Sequence, residues 1–207
     1  KAPTATPGAE HWTDLAPHDP DVYRLGVDAF RDHLVLSQRR DGYRELNVID
    51  LRDGGTRVLQ LPEQVSTVRP GVNAEFETDV YRFGYTSMTT PSTIFEEHLD
   101  TGERTMLKQD EVLGGYDPAD YVASRITATS ADGTEVPISV VHHRSVEPDG
   151  TNPVLLYGYG SYGSSMDPRF SSARVSLLDR GVVFAMGHIR GGSEMGRHWY
   201  EDGKFLN

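Results

Sequence analysis

The 207-residue sequence has no cysteine. Disulfides, zinc–thiolate centres and a cysteine nucleophile are therefore excluded within it. That composition fits a cytosolic setting, and a cytoplasmic location is expected. Long apolar runs are missing too: none approaches the roughly eighteen residues that a membrane-crossing helix needs. The first residues, Lys1-Ala2-Pro3-Thr4, contain no signal-peptide core. Basic residues are scarce, 20 against 31 acidic ones, for a net charge of −11. Nucleic acid is thereby disfavoured as a partner, since phosphate binding needs clustered Lys and Arg, whereas a cationic ligand would be tolerated or attracted. His-Glu-x-x-His, carboxylate-rich calcium loops and Gly-x-x-x-x-Gly-Lys are all absent, so no metal or cofactor is expected. Neither Ser161 nor Ser193 sits in the Gly-x-Ser-x-Gly elbow of a hydrolase nucleophile: Tyr159 lies two places before the first and Met195 two places after the second.

What is present begins with a repeat. His33-Leu34-Val35-Leu36, the Asp41-Gly42 pair, Leu46-Asn47-Val48-Ile49, the Asp53-Gly54-Gly55 turn and Arg57-Val58-Leu59 read as strands joined by tight turns. Asp-Gly favours hairpins because both central positions of a type I′ turn need positive φ. The layout recurs 47 positions later, Leu34 corresponding to Tyr81, Val48 to Phe95 and Asp53 to Asp100, with Val58 and Met106 matched within one residue. A period of roughly 40–50 residues built of short strands is the signature of β-propeller blades; two unrelated meanders of a sandwich are the alternative. An incomplete further unit is expected around Trp12 and Val22-Tyr23-Arg24-Leu25. A ring of about four or more blades is needed for closure, so these residues read as the last blades of a propeller that begins earlier.

The rhythm breaks at Gly114-Gly115-Tyr116-Asp117-Pro118, the expected domain junction, with residues 1–117 a partial propeller and 118–207 a second domain. Arg125 to Thr129 and Val136 to Val141 flank Asp132-Gly133 as a hairpin. Val154-Leu155-Leu156-Tyr157 is short and wholly apolar, as in a buried parallel strand. A helix should follow, N-capped by Ser171, with Phe170, Ala173, Leu177 and Leu178 on one face and Gly181 in the left-handed position after its end. Val182 to Met186 is the next buried strand. Hairpin, strand, glycine-rich loop, helix, strand is how an α/β-hydrolase sheet begins. His142 and His143, adjacent on a strand, point to opposite faces and cannot act as a facing pair.

Both loops after the two apolar strands carry candidate chemistry. Tyr157-Gly158-Tyr159-Gly160-Ser161-Tyr162-Gly163 has the glycines that let a backbone turn sharply against a ligand. In the hydrolase fold the corresponding loop supplies part of the oxyanion hole, though a packing loop at the domain contact would serve equally. His188-Ile189-Arg190-Gly191-Gly192-Ser193-Glu194-Met195-Gly196 is the second.

These loops, with Tyr85 to Thr93 and Trp199-Tyr200-Glu201-Asp202-Gly203-Lys204, resemble the prolyl oligopeptidase family over essentially the whole chain, and its oligopeptidase B branch in particular. The resemblance implies a β-propeller capping an α/β-hydrolase peptidase domain, with the active site in the cavity between. It implies a serine endopeptidase that cleaves short peptides after Arg or Lys through an acyl-enzyme. The catalytic serine, aspartate and histidine would all lie beyond Asn207, and the isolated chain would be inactive. Tyr159 matches the tyrosine whose hydroxyl helps bind the oxyanion, and is expected at the mouth of its strand, aimed into the cavity. Asp167 matches an acid that holds a basic side chain of the substrate at the second subsite. Arg169 stands where some members have another acid, and Ser193 replaces a glycine, which would be strained if the position needs positive φ. A prolyl-specific enzyme and a catalytically inactive peptide-binding propeller are the competing expectations.

Overall fold

The computed structural model describes residues 1–205. Eight strands make two four-stranded antiparallel meanders, and four more make a mixed sheet. The first meander is β1 (Val22–Ala29), β2 (His33–Arg40), β3 (Tyr43–Asp50) and β4 (Thr56–Val58) in sequential order. The second is β5 (Ser66–Pro70), β6 (Val80–Ser87), β7 (Thr93–His98) and β8 (Arg104–Gln109). Asp41 and Gly42 both take positive φ, 50° and 78°, in the turn between β2 and β3, as a type I′ hairpin requires.

The repeat maps second strand onto second strand, since Leu34 lies in β2 and Tyr81 in β6, and third onto third, since Val48 lies in β3 and Phe95 in β7. One expectation is corrected. Val22 to Leu25 do not belong to a further unit; they open β1 and complete the first sheet through pairs such as Val22 with Arg40. Strand β5, which carries little alternation of its own, went unrecognised in the sequence.

The two meanders share a core of Phe30, Val35, Leu46, Tyr81, Phe83 and Leu99, among others. Strands β2 and β6 carry most of the buried positions, whereas β8 is exposed along nearly its whole length. A polar seam joins the same sheets. Glu97, 2% exposed, accepts from Arg57 at 2.9 Å and from Arg104 at 2.6 Å, and the Tyr81 hydroxyl donates to Asp28 at 2.6 Å.

The third sheet has the order β11-β12-β10-β9. Strands β9 (Tyr121–Thr129) and β10 (Glu135–His143) form the expected hairpin. Strands β11 (Val154–Gly158) and β12 (Val183–Gly187) are parallel, with α1 (Ser172–Leu178) between them in sequence. Ser171 holds the N-cap position without a side-chain cap bond. Gly181 takes φ 79° and Val182 N–H bonds to the Leu177 carbonyl, the closure of a left-handed C-terminal motif. Of the face expected inward, Leu178 is buried, Phe170 and Leu177 are half-buried and Ala173 is exposed, while the half-buried Val175 packs against the same core. The short α2 (Arg197–Glu201) follows the second glycine loop.

Strand β11 is parallel but not buried: every residue from Val154 to Gly158 is exposed. It is the edge strand, bonded only to β12, so its apolar run has no covering layer among the described residues. Strand β12 has neighbours on both sides and is buried from Phe184 to Gly187. A second core joins Tyr121, Val141, Leu178, Phe184 and Met186 of this region to Val65 and Met88 of the second meander. Among the described residues, no helix is long and apolar enough to cross a membrane.

Glu97→Ala would leave Arg57 and Arg104 without their shared partner in the seam. Urea unfolding should show a loss of about 2 kcal/mol, the usual range for hydrogen bonds to charged groups.

Candidate active-site loops

Two loops leave the sheet side by side. Gly158, at the end of β11, pairs with Gly187, at the end of β12, so both chains depart from the carboxyl edge of parallel strands. In open α/β sheets that edge is where ligands bind. The loops are then held together by backbone contact. A Cβ on Gly160 would lie 2.9 Å from the Ile189 carbonyl oxygen and 3.0 Å from both the Arg190 carbonyl oxygen and the Gly192 nitrogen, so glycine alone permits this approach. Gly163 N–H donates to the Gly191 carbonyl at 2.7 Å. Ser193 Oγ donates to the Gly163 carbonyl at 3.1 Å, and Ser193 N–H to Ser165 Oγ at 3.2 Å.

Tyr159 sits where the sequence places it, one residue past β11, with its side chain exposed. The strain expected at Ser193 does not arise, because that residue is not among those with positive φ. It falls instead on Tyr162, at φ 61° and ψ 28°, a left-handed conformation uncommon for a residue with a Cβ.

Behind the loops lies a buried polar group that sequence reasoning missed. His188 is 1% exposed and Glu194 fully buried. The His188 Nε2 and Ser139 Oγ are 2.7 Å apart, the His188 carbonyl accepts from Trp199 Nε1 at 3.0 Å, and Glu194 Oε1 accepts from Met166 N–H at 2.8 Å. Ser139, His188 and Glu194 are all sealed from solvent, which assigns them to anchoring the loops. Burial pushes the His188 imidazole down to about 4 and raises the Glu194 carboxyl, so His188 is neutral at pH 7.

Asp167 ends the first loop in an arrangement no local pattern announced. Its side chain is 3% exposed, and Oδ1 accepts from Arg39 Nη2 at 2.6 Å. The other oxygen meets Arg169 Nη2 at 3.1 Å and Arg44 Nε at 3.3 Å. Burial alone would raise this carboxyl, but Arg39 and Arg44 outweigh it and hold it below the usual carboxylate range. As arranged, both oxygens are engaged, and the carboxylate is not open to a substrate's cation as the resemblance implied. Arg39 and Arg44 flank the Asp41-Gly42 turn and read in sequence as ordinary polar hairpin residues; nothing nearby points 128 positions ahead.

A cavity of about 490 Å³ lies beside this cluster, walled by Arg69, Gly84 and Tyr85 of the second meander and by Asp167 and Arg169 to Ala173. Tyr159 is not among its lining residues, so the single shared cavity expected around that phenol is not formed by the described residues. Elsewhere, His33, Asp50 and Asp100 bring possible ligand atoms together, but the Arg52 guanidinium is bonded to both carboxylates and fills the role a cation would take.

A meander pair followed by the start of an α/β sheet, with two glycine loops at its carboxyl edge, has the form of propeller blades leading into a domain of the α/β-hydrolase fold class. The family comparison agrees. The prolyl oligopeptidase N-terminal β-propeller domain matches residues 1–110, and the prolyl oligopeptidase family domain matches residues 168–207. The chain belongs to the prolyl oligopeptidase family. It is 45% identical over its whole length to dipeptidyl aminopeptidase BI of Pseudoxanthomonas mexicana, spanning 28% of that protein. Protease 2 of Moraxella lacunata is 39% identical across 94% of the chain and 28% of its own length. Among solved structures, oligopeptidase B from Trypanosoma brucei with covalently bound antipain superposes with a TM-score of 0.86 at 39% identity, covering 95% of this chain and 29% of that one. Oligopeptidase B from Leishmania major gives 0.85 at 39% identity over 98% and 29%. The chain thus spans under a third of the relatives it matches.

Two measurements test the anchoring roles. Asp167→Asn leaves Arg39 buried without its counter-charge, and chemical denaturation should show a loss of about 3–5 kcal/mol. For His188, the unfolded chain takes up a proton below about pH 6.5 that the folded chain refuses until about 4. Its contribution is therefore fully present above that window and is lost as the pH falls through it. Glu194, whose folded value is raised, acts in the opposite sense as pH rises above 4.5. Thermal unfolding as a function of pH should show His188→Gln flattening the acid slope by up to ~3 kcal/mol.

Proposed function

We propose that this chain is part of a serine peptidase that hydrolyses short peptides after Arg or Lys through an acyl-enzyme, with Tyr159 donating its hydroxyl to the oxyanion. In this reading residues 1–117 belong to the propeller and residues 118–207 open the peptidase domain.

One observation carries the proposal. Tyr159 stands exposed one residue beyond the end of a parallel strand, on a loop fixed by direct backbone contact with its neighbour. A phenol carried on such a loop suits a donor whose task is to meet negative charge as it develops, because preorganised donors need no rearrangement at the moment of reaction. Preference for a basic residue rests on the likeness to the two oligopeptidase B structures and on an acidic chain that favours cationic ligands.

The polypeptide carrying this chain should be labelled by a fluorophosphonate probe and should turn over Arg-aminomethylcoumarin peptides faster than their Pro counterparts. Tyr159→Phe should lower kcat by about 10²–10³-fold, the effect of removing one oxyanion donor, with KM little changed. Neither labelling nor turnover would overturn the peptidase reading. Faster cleavage after Pro would overturn the basic preference alone.

A further inference from the structure

In a chain of net charge −11, the cavity beside Asp167 is unusual for the arginines that wall it. Arg44 comes from β3, Arg69 from β5 and Arg169 from the loop before α1, with Arg39 buried directly behind. Only one buried carboxylate, Asp167, serves this group. Its oxygens meet Arg39, Arg44 and Arg169, and no ion pair among the described residues includes Arg69. Arg44 Nε is buried without an acceptor in hydrogen-bonding geometry, and Arg169 is 62% exposed with a single bond to Asp167.

The placement of Arg69 is specific. Its Nε and stem lie 3.0–3.8 Å from where a Gly84 Cβ would be, so the guanidinium stem lies flat across a glycine of the adjacent strand that makes room for it. Asp110 and Glu111 also line the cavity. Both are exposed, where water and salt screen them, and neither pairs with these arginines among the described residues. Burial lowers the Arg44 pKa; Asp167 opposes that effect, and Arg39, Arg169 and Arg69 add to it. Planar guanidinium forks match a carboxylate in geometry as well as charge. The hydroxyl-bearing Thr67, Thr86 and Ser171 and the ring of Phe170 complete the walls, so the cavity offers both hydrogen bonds and an apolar surface.

We infer that this cavity binds the side-chain carboxylate of an acidic residue in the peptide substrate, through Arg69, Arg169 and Arg44. The inference rests on the peptidase reading above and adds to it a second selectivity, for an acidic residue on the amino side of the cleaved basic one. The wall formed by Asp167 and by Arg169 to Ala173 follows the Tyr159 loop directly in the chain, so one continuous stretch builds both.

The test uses the full polypeptide carrying this chain and fluorogenic peptides ending in Arg-aminomethylcoumarin. Each has Glu or its uncharged isostere Gln at one of the three positions before the Arg. At one position kcat/KM for the Glu peptide should exceed that of its Gln twin by about tenfold, equivalent to ~1.4 kcal/mol. Arg69→Gln and Arg169→Gln should each bring the ratio toward one. Because the ratio is taken within one enzyme preparation, it is unaffected by a variant's yield or stability. Turnover of both peptides with a ratio of one or less at every position would overturn the inference and leave the peptidase reading standing. So would a Glu preference that survives both substitutions. Failure to cleave any Arg peptide would overturn the reading on which the inference depends, and the inference with it.

Discussion

The ion pair between Arg39 and Asp167 is the contact on which the arrangement of this chain depends. It joins a strand of the first meander to the loop ahead of α1, with both side chains withdrawn from water. Two charges in such a place are stable only together: desolvation is costly for each, and the pairing and added hydrogen bonds are what offset it. Arg44 and Arg169 complete the coordination of the carboxylate. The pair thereby links the propeller segment to the segment that follows it, as does the apolar cluster of Val65 and Met88 with Tyr121 and Val141. Breaking the charge pair would disturb the cavity, the loop and the junction together.

Rigidity of the Tyr159 loop follows from a different constraint, the closeness of two backbones. Gly160 lies against three backbone atoms of the second loop, and Ser193 and Glu194 each bond to the first loop through an oxygen. The interior His188 and Glu194 act as internal struts for the surface they support. Keeping the imidazole neutral avoids burying a charge, and the carboxyl is raised by the same desolvation. The loop therefore presents an exposed phenol from a base held by contacts with the second loop.

Much of the architecture was legible as local pattern. Asp41-Gly42 fixed a hairpin because its two residues tolerate positive φ, and the 47-residue offset between Leu34 and Tyr81 placed equivalent strands in equivalent sheets. Gly181 marked the end of α1 for the same conformational reason. The boundary of the first sheet was misread because Val22 to Leu25 pair with a partner whose identity depends on the closing of β2. Strand β11 reads as buried because its residues are apolar; among the described residues it pairs with β12 alone and is exposed.

Sequence alone determined most of the strands and their turns, the end of α1 and the two glycine loops, because each follows from the conformational preference of a few consecutive residues; β5 and the sheet to which β1 belongs it did not. It also placed Tyr159 at the end of its strand. Only the tertiary structure decided that Asp167 faces Arg39 rather than open solvent, that Ser139, His188 and Glu194 lie sealed together, and that three arginines from separate elements wall one cavity. Those relations join residues far apart in the chain, and the free energy of a charge or a buried polar atom is set by whatever surface folds against it, which no run of neighbouring residues specifies.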